Sequence, residues 1–231
     1  MQHADAALNG DMQRRVVVDC NCMDWSLAPG GQVWRKRLHR VGPAEGGQVT
    51  SLVRYVPGAR FHAHEHPDGE EILVLEGHFC DEHERSGPGS YLLHPQGFSH
   101  APFSEDGCLL FVKLRQYAGP GRVRVRRDTE NMTWQTTDEP GVMHKRLYED
   151  ERHPDRTRLE RWNPRTGPPQ RRYPQGAELL VLAGGFADEY GDYGQGLWMR
   201  LPPGSTHRPV AGSAGCDLYA KIGGVEQLAA A

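Results

Sequence analysis

The chain lacks any apolar run long enough to cross a membrane. Its opening residues, MQHADAALNGDMQRR, lack the apolar centre of a secretion signal, so a cytoplasmic location is expected. A strong charge of either sign is also missing. The formal net charge is −3 over 231 residues, which leaves no global field to attract nucleic acid. Neither nucleic acid nor membrane is therefore expected as a partner. Cysteine is scarce and odd in number: five residues exclude a complete disulfide framework. Cys20-Asn21-Cys22 has the look of half a metal or redox pair, but no second pair completes it. Cys80, Cys108 and Cys216 stand in or beside apolar runs and read as small buried hydrophobes. No Ser-His-Asp arrangement is legible, nor a phosphate-cradling glycine loop or nucleotide fingerprint; Gly184-Gly185 is too short to count.

Long helical patterns are absent too, and what stands in their place is turn chemistry. Glycine (28) and proline (17) punctuate the chain, while the shares of hydrophobic (37%) and charged (25%) residues are ordinary for a globular protein. Between the turns lie short segments rich in β-branched and aromatic residues: VTSLVRYV, EEILVLEGHF, SYLLH, CLLFVKL, then TRLERW, ELLVLAGGF, GLWMRL and CDLYAKI. These read as strands, and the fold class predicted from them is all-β, a barrel or sandwich. The order is written twice. Met23-Asp24-Trp25 recurs as Met132-Thr133-Trp134, HPDGEEILVLEGHFCDEH as YPQGAELLVLAGGFADEY, PQGFSHAPF as PPGSTHRPV, and Lys113-Leu114 as Lys221-Ile222. Such matched spacing marks a duplicated domain. Two tandem units are predicted, residues 1–118 and 119–231, joined near Tyr117 to Thr129. The alternating Arg122, Arg124 and Arg126 of the join read as an edge or linking strand with one wet face. Trp25 and Trp134, at equivalent places, read as plugs or strand anchors.

The densest chemistry is in HAHEHPDGEEILVLEG, from His62 to Gly77. In a strand, residues two apart share a face, so His62, His64 and His66 point one way if the strand extends that far. Pro67-Asp68-Gly69 reads as a turn that brings Glu70 back beside them. A further ligand must come from elsewhere, and His100, closing the turn HPQGFSH, is the candidate. Three nitrogens and one oxygen suit Zn, Fe, Mn, Ni or Cu. Burying such a set without a cation is costly, and a bound divalent metal removes the cost. The candidate ligands at this point are Glu70, His100 and two of the three alternating histidines. His62 is either a neighbour of the site or solvent-facing. Glu71 has the opposite parity, and His78, His83 and His94 read as solvent-facing or structural.

With these residues in place the chain resembles the cupin superfamily. Gly58, His64, His66, Glu70 and Gly77 match its first motif, and Gly89, Pro95, Gly97 and His100 its second, with Ser104 in place of a final asparagine. The resemblance implies two tandem cupin barrels of the jelly-roll, double-stranded β-helix type, with His64, His66, Glu70 and His100 as the metal ligands of the first. HPDGEEILVLEG, FCDEH, HAPF and FVKL are most similar to the cupin domain of ChrR-type anti-sigma factors. That resemblance implies a zinc-binding module serving the response to singlet oxygen and oxidised lipids; similar domains occur in dioxygenases of small diketones or aromatic ketones. The His-x3-Cys-x2-Cys pattern that holds the sigma factor in those regulators is absent from this sequence, so sigma-factor binding by that route is not expected.

The second copy departs from the motif. Arg171 stands for His64, Tyr173 for His66 and Ala177 for Glu70, while His207 matches His100. One imidazole without a carboxylate makes no ordinary metal site. The C-terminal barrel is expected to be metal-free and to serve packing, dimerisation or the lining of a pocket, and a homodimer is expected. Three functions remain open from sequence: a metal-binding sensor or small-molecule module with one divalent ion, zinc or iron foremost and manganese or nickel as further options; an iron-dependent dioxygenase; and a structural bicupin.

Overall fold

A computed structural model describes residues 7–43, 45–116 and 121–225. The all-β expectation holds: strands dominate, and two 3-10 turns, Cys20–Cys22 and Thr129–Asn131, sit at equivalent places in the two copies. No helix among the described residues is long and apolar enough to cross a membrane. The chain forms two compact units. One holds Met23–Met132 with the segment up to Gly10, and the other holds Asp11–Cys22 with the chain from Thr133 onward. The division expected between residues 118 and 119 lies outside the described residues.

The first unit is built on a seven-stranded antiparallel sheet. Its order is Val125–Asp128, Ser90–His94, Glu70–Gly77, Cys108–Leu114, Gln48–Tyr55, Val33–Val41 and Ser26–Leu27. Four shorter strands and the pair His64–His66 with Phe98–His100 complete the barrel. Alternation sends Ile72, Val74, Leu110 and Val112 into one core with Phe79 and Leu92. Gly77 explains why its motif closes on glycine. It has φ 68°, and a Cβ there would meet the Gly107 carbonyl at 2.2 Å. The matching Gly184 has φ 65° and would meet the Gly215 carbonyl at 2.1 Å.

The second unit repeats the sheet in the order Val16–Asp19, Leu197–Leu201, Ala177–Asp188, Val210–Ile222, Arg156–Trp162, Val142–Glu149 and Gln135–Thr136. Its core packs Trp162, Tyr173, Phe186 and Leu218. In each unit the outermost strand beside the Ser90–His94 or Leu197–Leu201 position comes from the segment preceding the other copy in sequence. The arginine-rich join forms such an edge: Arg124 and Arg126 both pair with Glu84. Trp25 and Trp134 are not plugs. Both are half-buried and clamped by cations, Trp25 by Lys36 and Arg54 (4.7 and 4.2 Å to the ring centre), Trp134 by Lys145 and Arg161 (4.6 and 4.4 Å). None of the five cysteines is in a disulfide, and Cys80, Cys108 and Cys216 are buried.

Candidate metal centre

Strand pairing assembles the histidines. His64–His66 runs antiparallel to Phe98–His100, with His64 opposite His100 and Phe98 opposite His66. The three rings converge: their centres lie 4.9 Å (His64 to His66), 5.4 Å (His64 to His100) and 5.0 Å (His66 to His100) apart. Nε2 of His66 and Nε2 of His100 are 3.0 Å apart. The turn at Gly69, which has φ 77°, returns the chain as expected. It brings Oε2 of Glu70 to 3.6 Å from Nε2 of both His66 and His100. One nitrogen from each of His64, His66 and His100 falls within 4.8 Å of the others, and Glu70, His94 and His100 form a second, overlapping cluster on the same criterion. His100 belongs to both.

Two further residues were not anticipated. Of the two expected roles for His94, solvent-facing or structural, the second holds, and its contact is to the site: it is fully buried, and its Nδ1 donates to Oε2 of Glu70 at 2.9 Å. Asp81 is buried and accepts from Nδ1 of His100 at 3.2 Å, leaving Nε2 of that ring for the site. The Asp81 carboxylate is itself fixed by the backbone N–H groups of His83 and Glu84, at 2.8 and 2.9 Å. His62 is exposed and lies outside the strand; its carbonyl accepts from Nδ1 of His64 at 2.9 Å, which orients that ring. Glu71 lies opposite Lys113 in the sheet, away from the site.

The electrostatics keep Glu70 and His66 deprotonated. Burial works against the ionised Glu70, but the His94 hydrogen bond and the neighbouring imidazoles outweigh it and bring its carboxyl down to about 2. Burial lowers His66 to about 4, against the pull of Glu70. Asp81, despite burial, is brought down to about 2 by its bonds from His100 and the backbone. Two neutral-range donors thus meet in ready form: a buried carboxylate and an unprotonated imidazole. This donor set fits a divalent transition metal, with nitrogen and oxygen atoms converging and their outer atoms tied back. A cavity of about 200 Å³ opens on His64, His66 and Glu70, walled by Ile72, Leu110 and Val112.

The second unit keeps the scaffold and changes the chemistry. Arg171 lies opposite His207 as His64 lies opposite His100. The Arg171 guanidinium is buried and donates to Oε1 of Glu160 at 2.7 Å and to Glu139. Tyr173 bonds His207 through its hydroxyl at 3.2 Å, and Nδ1 of His207 meets Asp188 at 3.1 Å, the counterpart of the Asp81 contact. A protein cation therefore sits where the first copy gathers imidazoles.

The profile of the ChrR cupin-like domain matches the sequence twice, over residues 13–118 and 122–226. No curated protein matches the chain. Similar solved structures include a protein of Nostoc punctiforme provisionally described as a dioxygenase, with TM-score 0.74 and 15% identity, covering 91% of this chain and 82% of that one. Another is YlbA of E. coli, with TM-score 0.71 and 13% identity over 96% of this chain and 95% of that one. A deletion mutant of Bacillus subtilis oxalate decarboxylase has TM-score 0.61 and 13% identity over 89% and 76%. At these identities the likeness concerns the fold.

Proposed function

The chain belongs to the ChrR cupin-like family, and from that premise we propose that its N-terminal barrel is a mononuclear divalent-metal centre that binds a small molecule. His64, His66, Glu70 and His100 hold the ion, and the C-terminal barrel holds none. The observation that carries this reading is the meeting of Nε2 of His66 and Nε2 of His100 at 3.0 Å, with Oε2 of Glu70 at 3.6 Å from both. Zinc and iron suit this donor set best, with manganese and nickel next. A cation held there supplies Lewis-acid polarisation of a ligand oxygen. The protein's part is to orient and to exclude water: Asp81 fixes the His100 ring, His94 fixes the Glu70 carboxylate, and the apolar wall keeps the local dielectric low. The resemblance to the cupin domain of ChrR-type anti-sigma factors supports a role in sensing an oxidised compound.

A second reading, an iron-dependent dioxygenase of a small diketone or aromatic ketone, draws on one feature. The cavity reaches three of the four proposed ligands, which leaves a small molecule room beside them. Elemental analysis of the purified chain tests the centre. One equivalent of metal is expected in the parent and in His207→Ala, and none in His66→Ala. Unchanged metal content in His66→Ala overturns the assignment. Oxygen uptake by iron-loaded protein with a diketone panel separates the two readings: consumption favours the enzyme, and its absence the binding module.

A further inference from the structure

The cavity has a second polar end that the metal centre does not use. Over the first five residues of Val33–Val41, before the register shift that follows Arg37, alternate side chains turn to the cavity, so Val33, Arg35 and Arg37 line it while Trp34 faces out. Guanidiniums on the inward face of a barrel strand are costly unless an anion meets them. One does. Oε2 of Glu45 accepts from Nη1 of Arg35 at 2.7 Å, and Oε1 of the same carboxylate accepts from Nη2 of Arg37 at 2.9 Å. Each oxygen of one carboxylate is thus held by a separate arginine. Glu45 reaches in from the turn beside Gly46 and Gly47, and its side chain is 49% exposed against 27% and 25% for the arginines. It stands at the solvent edge of a site whose cations lie deeper.

A second observation points the same way. Ser51 is directly opposite Arg37 in the sheet and lines the cavity. It is 1% exposed, and its hydroxyl has no hydrogen-bond partner among the described residues. A buried, unsatisfied hydroxyl beside a guanidinium calls for a polar group that the protein does not supply. Between this end and the proposed metal ligands the walls are apolar: Val49, Val53, Ile72, Leu110 and Val112. A cavity on the order of 150 Å³ accepts a benzene ring. About 200 Å³ therefore takes one ring or a short branched chain together with a head group.

We propose that this cavity selects a small organic carboxylate with a compact apolar body. Its carboxylate displaces Glu45 from Arg35 and Arg37 and satisfies Ser51, and its far end reaches toward His64 and His66. The idea rests on the small-molecule reading above, but not on which metal is bound. Glu45 is then an internal stand-in for the ligand, occupying its anion site in the free protein.

The test is calorimetry of the full-length chain with 3-phenylpropanoate and with its neutral amide, alongside metal analysis of every variant. The carboxylate is expected to bind at least tenfold more tightly than the amide, as charge-assisted bonds require. Arg37→Gln should erase that preference with metal content unchanged. Glu45→Gln should tighten carboxylate binding several-fold, because the internal competitor is gone; mere structural pairing would not produce that gain. Equal binding of acid and amide, or no tightening in Glu45→Gln, overturns the proposal. Selective acid binding by a chain that carries no metal would sustain it while defeating the metal centre, so the two failures are distinguishable.

Discussion

Asp81 makes no bond to the proposed ion, yet it decides which nitrogen His100 can offer. Its carboxylate accepts from Nδ1, so Nε2 carries the lone pair toward His66 and Glu70. Outer hydrogen bonds of this kind are worth about 10–100-fold in metal affinity. Asp81→Ala is expected to weaken zinc binding within that range in a chelator competition, and Asp81→Asn, which keeps an acceptor, should lose less. Equal affinity in all three proteins would remove Asp81 from the site. Of the four proposed ligands, His64, His66 and Glu70 were legible through period two and one turn, and His100 through the second cupin motif. His94 and Asp81 were not, since each depends on a contact between separate strands. His94 became a partner through its register against Glu70. For Asp81 a signal did exist: the spacing of 19 residues to His100 recurs between Asp188 and His207.

At the scale of elements, the two copies use one frame for opposite contents. Arg171–Tyr173 pairs with Ser205–His207 as His64–His66 pairs with Phe98–His100, so the ribbon forms without the donors. The sequence disclosed that Arg171 stands in the place of His64. It did not disclose the reply, because Glu160 arrives from the strand Arg156–Trp162 with no fixed spacing to Arg171. Glu160 is fully buried and accepts from Arg158 (2.5 Å), Arg171 (2.7 Å) and the Trp162 indole (2.8 Å). Burial disfavours its charge, but the two arginines prevail and hold its carboxyl below the ordinary value. A depressed folded value means that the stabilisation is present above the unfolded carboxylate value, roughly pH 4, and is lost as pH falls from there through the lower folded value. Denaturant titrations should therefore show this contribution to the C-terminal unit unchanged from neutral pH down to roughly pH 5 and lost as pH falls below roughly pH 4, with a flatter acid limb in Glu160→Gln. Arg171→Met should destabilise that unit by about 3 kcal/mol at neutral pH, the low end for breaking a buried pair because Arg158 remains. A profile identical to the parent's in Glu160→Gln would show that the network contributes nothing to acid sensitivity.

For the whole molecule, the duplication raises the question of where one copy ends. The all-β class, the two repeats and most strands followed from turn residues and alternation, which are local signals. Edge pairing is not local. Val125–Asp128, in the join, forms the edge beside Ser90–His94, and Val16–Asp19 forms the edge beside Leu197–Leu201. Thr129 adds a bond from its hydroxyl to the Gly89 carbonyl at 2.6 Å, and both it and Val125 are buried. A fragment of residues 1–118 keeps all four proposed ligands but forfeits this edge, whereas a fragment of residues 1–132 keeps both. Loss of one buried valine with its ladder bonds should cost about 2 kcal/mol, which for a unit of this size lowers Tm by roughly 10 °C. The shorter fragment would also bare the backbone edge of Ser90–His94 and aggregate more readily. Thermal melts with light scattering on the two fragments make the comparison, and metal analysis shows whether each has folded its site. If residues 1–118 melt as high as residues 1–132 and stay monodisperse, the edge strand is dispensable and the first barrel closes without it.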